Sequence, residues 1–236
     1  MERPILFSTE MIQANQAGRK NQTRRLKGLE EINKNTNDYI SSEFDNNLKA
    51  WCFTHKNYFD RYIECPYGVP GDVLWVRETF YAFGRWTKRW SNKKNREEWF
   101  FIDRTDIEDN TQYMFEDNPP TDWQQAKNIK EYSKRRIEPA YHKRPSIHMP
   151  RAACRTRLEI LNICPEKLHN ISPEDAINEG IIKDGESSYK DYLPGDELPF
   201  SSLNPVQSYS SLWIKINGLE SWNLNPWVWR IEYKIL

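Results

Sequence analysis

The stretch 73-VLWVRETFYA-82 predicts a β-strand, because β-branched and aromatic residues dominate it. The preceding segment, 65-CPYGVPGD-72, carries two prolines and two glycines and predicts a turn. Arg77 and Glu78 follow each other in the strand, so their side chains point to opposite faces and one of them points inward. An inward charge at the mouth of a barrel is a candidate substrate contact, and an edge salt bridge is the alternative.

The rest of the chain alternates irregularly between predicted strands and a few short helices. Ser172 and Pro173 are typical of a helix start, and Gly180 is typical of a helix end. The region 27–50 is rich in Asn, Lys and Glu and predicts an exposed excursion with at most one marginal helix. Strands outnumber helices and no repeat is visible, which favours an α+β barrel-like domain over a doubly wound sheet. The predicted strands are 4–8, 73–82, 98–103, 155–163 and 226–236, and the predicted helices are 10–17, 172–181 and 206–217.

Composition limits the possible classes of function. Of 236 residues, 38% are hydrophobic, which is enough for a substantial core. The 34 basic and 34 acidic side chains cancel, which argues against a broad nucleic-acid-coating surface, so any such contact is expected to be a local patch. The four cysteines and four histidines lack metal-site spacing, so no metal or cofactor is expected. We expect a cytoplasmic protein with reduced cysteines, because Met1-Glu2-Arg3-Pro4 does not resemble the start of a signal peptide. No apolar run approaches the roughly 20 residues that span a bilayer.

The stretch 18-GRKNQTRRLK-27 places five basic side chains around one threonine. It could be a solvated basic loop at a helix end, a phosphate-binding patch, or the wall of an active site. Lys20 and Thr23 lie three residues apart, and a neutral lysine can take the proton of a threonine hydroxyl and make it a nucleophile. Neutrality at pH 7 requires that the lysine pKa fall by about three units, to which burial and the charges of Arg19, Arg24 and Arg25 would contribute.

Within the segment 172–181, Glu179 is the last residue of the predicted helix 173–179, where the negative end of the helix dipole disfavours a carboxylate. The residue is either an exposed helix former or the partner of a cation, and Lys20 is a candidate for that cation. Pairing would raise the lysine pKa, so Glu179 would orient Lys20 or share its proton. Four tryptophans near the end of the chain could be core residues or a platform on which a base stacks: Trp213, Trp222, Trp227 and Trp229.

Several segments together resemble the ASCH-domain family, particularly its longer, phage-associated branch. They are the G-R-K-x-Q-T-R-R run, 70-PGDVLWVRETF-80, 145-PSIHMPRAACR-155, 171-ISPEDAINEGI-181 and 226-PWVWRIEYK-234. The resemblance implies a PUA-like fold, which is a small β-barrel flanked by helices, as a single domain over 1–236. Residues 27–64 and 82–144 have no counterpart in the small members of the family and are expected to be insertions.

A group within this family is formed by amidohydrolases that remove the acyl group of N(4)-acetylcytidine with a Lys, a Thr three residues later and a Glu. The matching residues are Lys20, Thr23 and Glu179. The resemblance implies that Thr23 attacks the amide carbonyl, Lys20 transfers the proton and Glu179 holds Lys20. The substrate would be a modified pyrimidine nucleoside, and the expected substrate-binding residues are Arg19, Arg24, Arg25, Arg77 and Glu78.

Two other functions remain open, because PUA-like domains are widely RNA-binding modules. In the first, the chain is a non-catalytic module for RNA or modified nucleic acid, which binds phosphates through Arg19, Lys20, Arg24 and Arg25. In the second, the same basic cluster surrounds the scissile phosphate of an RNA hydrolase. No membrane partner is expected, and the sequence leaves the oligomeric state and the preferred acyl group open.

Overall fold

The structure is a computed structural model of the chain and describes residues 1–125, 138–193 and 203–236. Contacts divide the chain into two compact units. The first contains Met1–Ile5, Glu10–Trp75 and Thr156–Leu236, and the second contains Leu6–Thr9 and Val76–Arg155. The single domain over 1–236 and the status of 27–64 and 82–144 as insertions stay predictions.

The described residues form three sheets and five short α-helices. The helices are α1 (Thr9–Gln16), α2 (Glu30–Asn33), α3 (Pro173–Asn178), α4 (Pro205–Asn217) and α5 (Leu219–Asn223). The strands are β1 (Glu2–Leu6), β2 (Gln22–Arg25), β3 (Tyr39–Asp45), β4 (Ala50–His55), β5 (Arg61–Ile63), β6 (Val73–Arg77), β7 (Phe80–Ser91), β8 (Arg96–Asp103), β9 (Met114–Phe115), β10 (Gln124–Gln125), β11 (Ala140–Arg144), β12 (Arg157–Lys167) and β13 (Trp227–Ile235).

The largest sheet of the first unit has the strand order β1-β6-β12-β13-β2. Strand β13 is antiparallel to β12 on one side and to β2 on the other, with Ile231 opposite Thr23. The mixed α+β class predicted from the sequence is therefore confirmed. In the described part of the chain no sheet closes into a barrel, so the barrel in the sequence prediction is not found there. Strand β2 is an edge strand of this sheet.

The core of the first unit contains residues that the sequence analysis assigned to an exposed excursion. Leu29 and Ile32 are fully buried, and β3 and β4 form a second sheet with β5. The prediction for 27–50 is therefore wrong for Leu29, Ile32 and strand β3, whereas most other residues of this range are exposed or half-buried. Its apolar residues stand singly among polar ones, so no periodic pattern revealed them. The ring of Phe53 packs edge-to-face on Trp227 at 5.4 Å between centroids, which joins the second sheet to β13 within this unit.

Three of the four candidate stacking tryptophans are core residues. Trp213, Trp227 and Trp229 are buried, and the indole Nε1 of Trp229 donates to the Lys27 carbonyl at 3.1 Å. Trp222 keeps part of its surface and lies against His169, with 4.6 Å between ring centroids. The core alternative of the sequence analysis therefore applies to the three buried tryptophans.

The second unit is built on the long hairpin of β7 and β8, where Lys88 pairs with Trp99. This confirms 98–103 as the return strand. The predicted strand 73–82 is in fact two strands, because β6 ends at Arg77 and β7 begins at Phe80. A small core forms where Phe80 and Ala82 pack with Met149 and Ala153.

Candidate active site

The end of α1 fixes the position of Lys20. Gly18 has a φ of +68°, the left-handed conformation that ends many helices. The amides of Arg19 and Lys20 then both donate to the Ala14 carbonyl, at 2.9 and 3.2 Å. The chain therefore reverses tightly and starts β2 beside its own helix, as the glycine stop in the sequence indicates.

Glu179 is positioned by the short helix α3. Ser172 and Asp175 form a capping box at its start, in which the Ser172 hydroxyl accepts from the Asp175 amide at 3.1 Å. At the other end, the Asn21 amide donates to the Asn178 carbonyl at 3.0 Å, and Lys20 and Glu179 form an isolated antiparallel bridge. The end of α3 is therefore hydrogen-bonded, backbone to backbone, to the residues that precede the edge strand β2.

Lys20 and Glu179 form a buried ion pair, as the sequence analysis proposed for them. Their side chains are 2% and 5% exposed, and Lys20 Nζ lies 2.9 Å from Glu179 Oε2. The amine also donates to the carbonyls of Gln22 and Glu179, both at 2.7 Å. Three acceptors match the three protons of an ammonium group, so Lys20 must release one of these contacts to act as a base.

Burial lowers the pKa of the Lys20 amine below its ordinary value of 10.5, because the charged form loses its water. Glu179 opposes this effect through its charge and its hydrogen bond, whereas the positive charges of Arg25 and Arg24 lower the pKa further. These directions agree with the sequence analysis, in which burial and neighbouring arginines favour the neutral amine and Glu179 does not. The net result is a lysine that gives up its proton more readily than an exposed one.

Thr23 lies in the middle of β2 and is 3% exposed. The Lys20 amine donates to the Gln22 carbonyl, which belongs to the peptide bond between Gln22 and Thr23. The amine therefore lies next to the backbone of Thr23. Strand alternation places the Thr23 side chain on the face opposite to those of Gln22 and Arg24. Its hydroxyl makes no hydrogen bond to a residue that the structure describes, including Lys20. The structure therefore joins Lys20 to Glu179 directly and brings Thr23 near them through the backbone.

Arg24 is buried and ion-paired with carboxylates, although the sequence predicted that it binds substrate. Its side chain is 0% exposed and forms ion pairs with Glu166 at 2.7 Å, Asp175 at 3.1 Å and Glu179 at 3.2 Å. Burial alone would lower the pKa of the guanidinium, but the charges of Glu179 and Glu166 raise it. An arginine satisfied by three carboxylates is poorly available to a phosphate or a substrate.

Sequence reasoning missed the acidic and amide partners of this cluster. Glu166 lies on β12, and the carboxylate of Asp175 accepts from Gln22 at 3.1 Å as well as from Arg24. Asp175 was visible in the sequence only as a helix-capping acid. Its second role depends on the contact of α3 with β2, which no local pattern reveals. The signal that could have indicated Gln22 is its alternation with Arg24 along a strand.

The remaining basic candidates differ in exposure. Arg19 is exposed, and its guanidinium donates to the Gly180 carbonyl at 3.2 Å. Arg25 is half-buried, and its charge is one of those that lower the pKa of Lys20. Both residues lie in the first unit beside the ion pair, and their predicted contact with substrate stays a prediction.

Arg77 and Glu78 lie in the second unit, where each has a protein partner. Glu78 is buried and accepts two hydrogen bonds from Arg155, at 2.9 and 2.7 Å, in a fork-like pair. Arg77 donates to the Ile147 carbonyl. Of the two, Glu78 is the inward charge that the sequence analysis expected, and a salt bridge engages it. The role of the pair in substrate binding stays a prediction.

The comparisons with known proteins find no match among protein-family models, curated proteins or solved structures. Among the residues that the structure describes, no group of three His, Cys, Asp or Glu side chains is placed to hold a metal ion. No helix within the same residues is long and apolar enough to cross a membrane.

Proposed function

We propose that this protein is an amidohydrolase that removes the acyl group of N(4)-acetylcytidine or a related N(4)-acylated pyrimidine. The observation that carries the proposal is the buried pair of Lys20 and Glu179, whose amine has a lowered pKa. A buried ion pair is weak evidence of stabilisation, because desolvation offsets the attraction of the charges. A lysine that burial makes easier to deprotonate is what a general base requires.

The fold included in this proposal is the PUA-like ASCH domain. Its support is the order in which the elements appear: a strand, helix α1, the basic strand β2, the central strands, helix α3 and the last strand β13. Two of the three residues that match the family site, Lys20 and Glu179, also meet in the first unit, although 159 positions separate them. Such convergence of distant residues is not expected of a solvated basic loop.

In the proposed reaction, the Thr23 hydroxyl attacks the acyl carbonyl carbon while Lys20 accepts its proton. The new C–O bond gives a tetrahedral intermediate, whose C–N bond then breaks as Lys20 returns the proton to the exocyclic nitrogen of cytosine. Water attacks the resulting acyl-threonine ester with Lys20 again as the base. The ester C–O bond breaks, the proton returns to Thr23, and the products are cytidine and a carboxylic acid.

Proton transfer requires that the resting contacts of Lys20 change. The amine donates to Glu179 Oε2 at 2.9 Å, so this carboxylate is the nearest group able to hold or share a proton with it. Deprotonation frees a lone pair of the amine, which in the proposed reaction accepts the proton of the Thr23 hydroxyl once Thr23 and Lys20 approach each other. Glu179 therefore orients the base, the role that the resemblance implies for it.

The nucleic-acid-binding alternative has less support. Lys20 and Arg24 are buried and ion-paired, so their charges are unavailable to phosphates. Arg19 is exposed and Arg25 is half-buried, which leaves a much smaller basic surface than the sequence suggests. The RNA hydrolase hypothesis also requires these basic side chains around a phosphate, and the burial of Lys20 and Arg24 counts against it in the same way.

The proposal is tested by the release of cytidine from N(4)-acetylcytidine, measured by chromatography with purified protein. We expect the wild type to release cytidine and Lys20→Ala to be slower by about 10²- to 10⁴-fold, the usual contribution of a general base. In the variant, Glu179 keeps Arg24 as a charge partner, so the fold is expected to survive. Equal rates for the two proteins would contradict the proposal, and incubation with labelled RNA separates it from RNA hydrolysis.

A further inference from the structure

The two oxygens of the Glu179 carboxylate have different partners. Oε2 accepts from the Lys20 amine at 2.9 Å, and Oε1 accepts from Nη1 of Arg24 at 3.2 Å. Both cations are almost completely buried, so water competes with neither contact. The carboxylate is therefore shared between a cation that is always charged and one that can lose its proton.

Arg24 is itself held in place from several elements. Nε donates to Glu166 on β12 at 2.8 Å, and Nη2 donates to Asp175 on α3 at 3.1 Å. Its guanidinium carbon also lies 5.9 Å from the centre of the Tyr209 ring, which α4 supplies. Because all three guanidinium nitrogens have partners, this side chain has a fixed position rather than a free binding surface.

We propose that Arg24 is a positioning residue, which binds Oε1 of Glu179 and thereby leaves the Lys20 amine able to give up its proton. The inference rests on the proposed function and reassigns Arg24 from substrate binding to the support of the base. Without Arg24, the negative charge of Glu179 would no longer be shared and would attract the Lys20 ammonium group more strongly. The ammonium form would then be stabilised at the expense of the amine that the reaction needs.

The charges around Lys20 fix the direction of the effect. Removal of the guanidinium takes away one positive charge and leaves the nearby carboxylates, so the Lys20 pKa must rise. At an effective dielectric constant near 20, one charge on the far side of a shared carboxylate changes a pKa by roughly one unit or more. The charged and titratable groups of this cluster are Arg24 and Arg25 on β2, Glu166 on β12, Asp175 and Glu179 at α3, Tyr209 on α4, and Arg230 and Tyr233 on β13.

The experiment follows the titration of Lys20 itself in the full-length protein. The ¹³C shift of Lys20 Cε is recorded against pH by NMR, with the signal assigned by its loss in Lys20→Ala. We expect a wild-type midpoint below 10.5 and, in Arg24→Gln, a midpoint higher by about one unit or more. Lys27→Gln is the control, since it removes one positive charge from an exposed position two residues beyond Arg25 and is expected to leave the midpoint unchanged.

Arg24→Lys is a second variant for the case that Arg24→Gln does not fold. A lysine keeps the charge but lacks the fork that holds Glu166, Asp175 and Glu179 together. We expect a smaller upward shift of the Lys20 midpoint and, with N(4)-acetylcytidine, a matching shift of the rising limb of kcat/KM to higher pH. That limb moves upward because only the neutral amine is the base.

The outcomes separate this inference from the proposed function. An unchanged Lys20 midpoint in a folded Arg24 variant overturns the inference, whether or not the wild type hydrolyses the substrate. A raised midpoint together with an inactive wild type supports the effect of Arg24 on Lys20 and overturns the amidohydrolase. Thermal unfolding of each variant identifies those that are folded.

Discussion

Thr23→Val is expected to reduce the release of cytidine by about 10⁴-fold or more while the protein stays folded. The substitution removes the proposed nucleophile, so the covalent route is lost rather than slowed. Valine matches the shape of threonine and suits the strand β2. The Thr23 hydroxyl has no hydrogen-bond partner among the described residues, so its loss leaves none of them unsatisfied. Single-turnover kinetics and urea unfolding measure the two effects separately.

Thr54→Val is the matched control for this variant. Thr54 is a half-buried threonine on β4, in the same unit but outside the candidate site. It should lose no activity. If Thr23→Val and Thr54→Val released cytidine equally fast, Thr23 could not be the nucleophile, whereas loss of folding in Thr23→Val alone would indicate a structural role.

Gly180→Ala is expected to lower the free energy of unfolding by about 2–4 kcal/mol and to disturb the base as well. Gly180 has a φ of +88°, which alanine adopts only with strain. An added Cβ would lie 2.9 Å from Lys20 Cβ and 3.0 Å from Ala14 Cβ, closer than such atoms approach. The chain would have to move at the point where Glu179 is joined to Lys20. Urea unfolding and the cytidine assay report the two consequences.

Gly18→Ala separates backbone strain from crowding. Gly18 also has a positive φ, +68°, but an added Cβ there would meet nothing within 4 Å. We expect a loss of only about 1 kcal/mol, from the backbone alone. If the two variants were equally stable, the close approach at Gly180 would not constrain the site.

Local chemistry made some of the site predictable. Ser172, Pro173 and Asp175 determine α3 by themselves, since capping depends on residues only three positions apart. Glu179 could be singled out because a carboxylate at a helix end opposes the dipole. Its partner could only be guessed, because contact between residues 20 and 179 depends on the packing of distant elements.

Other features had no local signal. Leu29 and Ile32 are core residues in a polar stretch, and the second sheet that covers them depends on pairing between β3, β4 and β5. Arg24 was predicted to bind substrate, because nothing nearby in the sequence balances its charge. Its partners Glu166 and Asp175 follow it by more than 140 residues. Burial of a charge is a property of the folded chain, and the sequence shows only the charge.

Because β2 pairs with β13, the candidate site can form only after the last part of the chain has been synthesised. Residues 22–25 are made early, but their strand partner, Trp227–Ile235, is made some two hundred residues later. Helix α3, which carries Asp175, and Glu179 directly after it are also made late. In the nascent chain, Lys20 is therefore an ordinary solvent-exposed lysine for most of translation. The base is created only when these late segments dock, so an unfinished chain has the residues of the site without its chemistry.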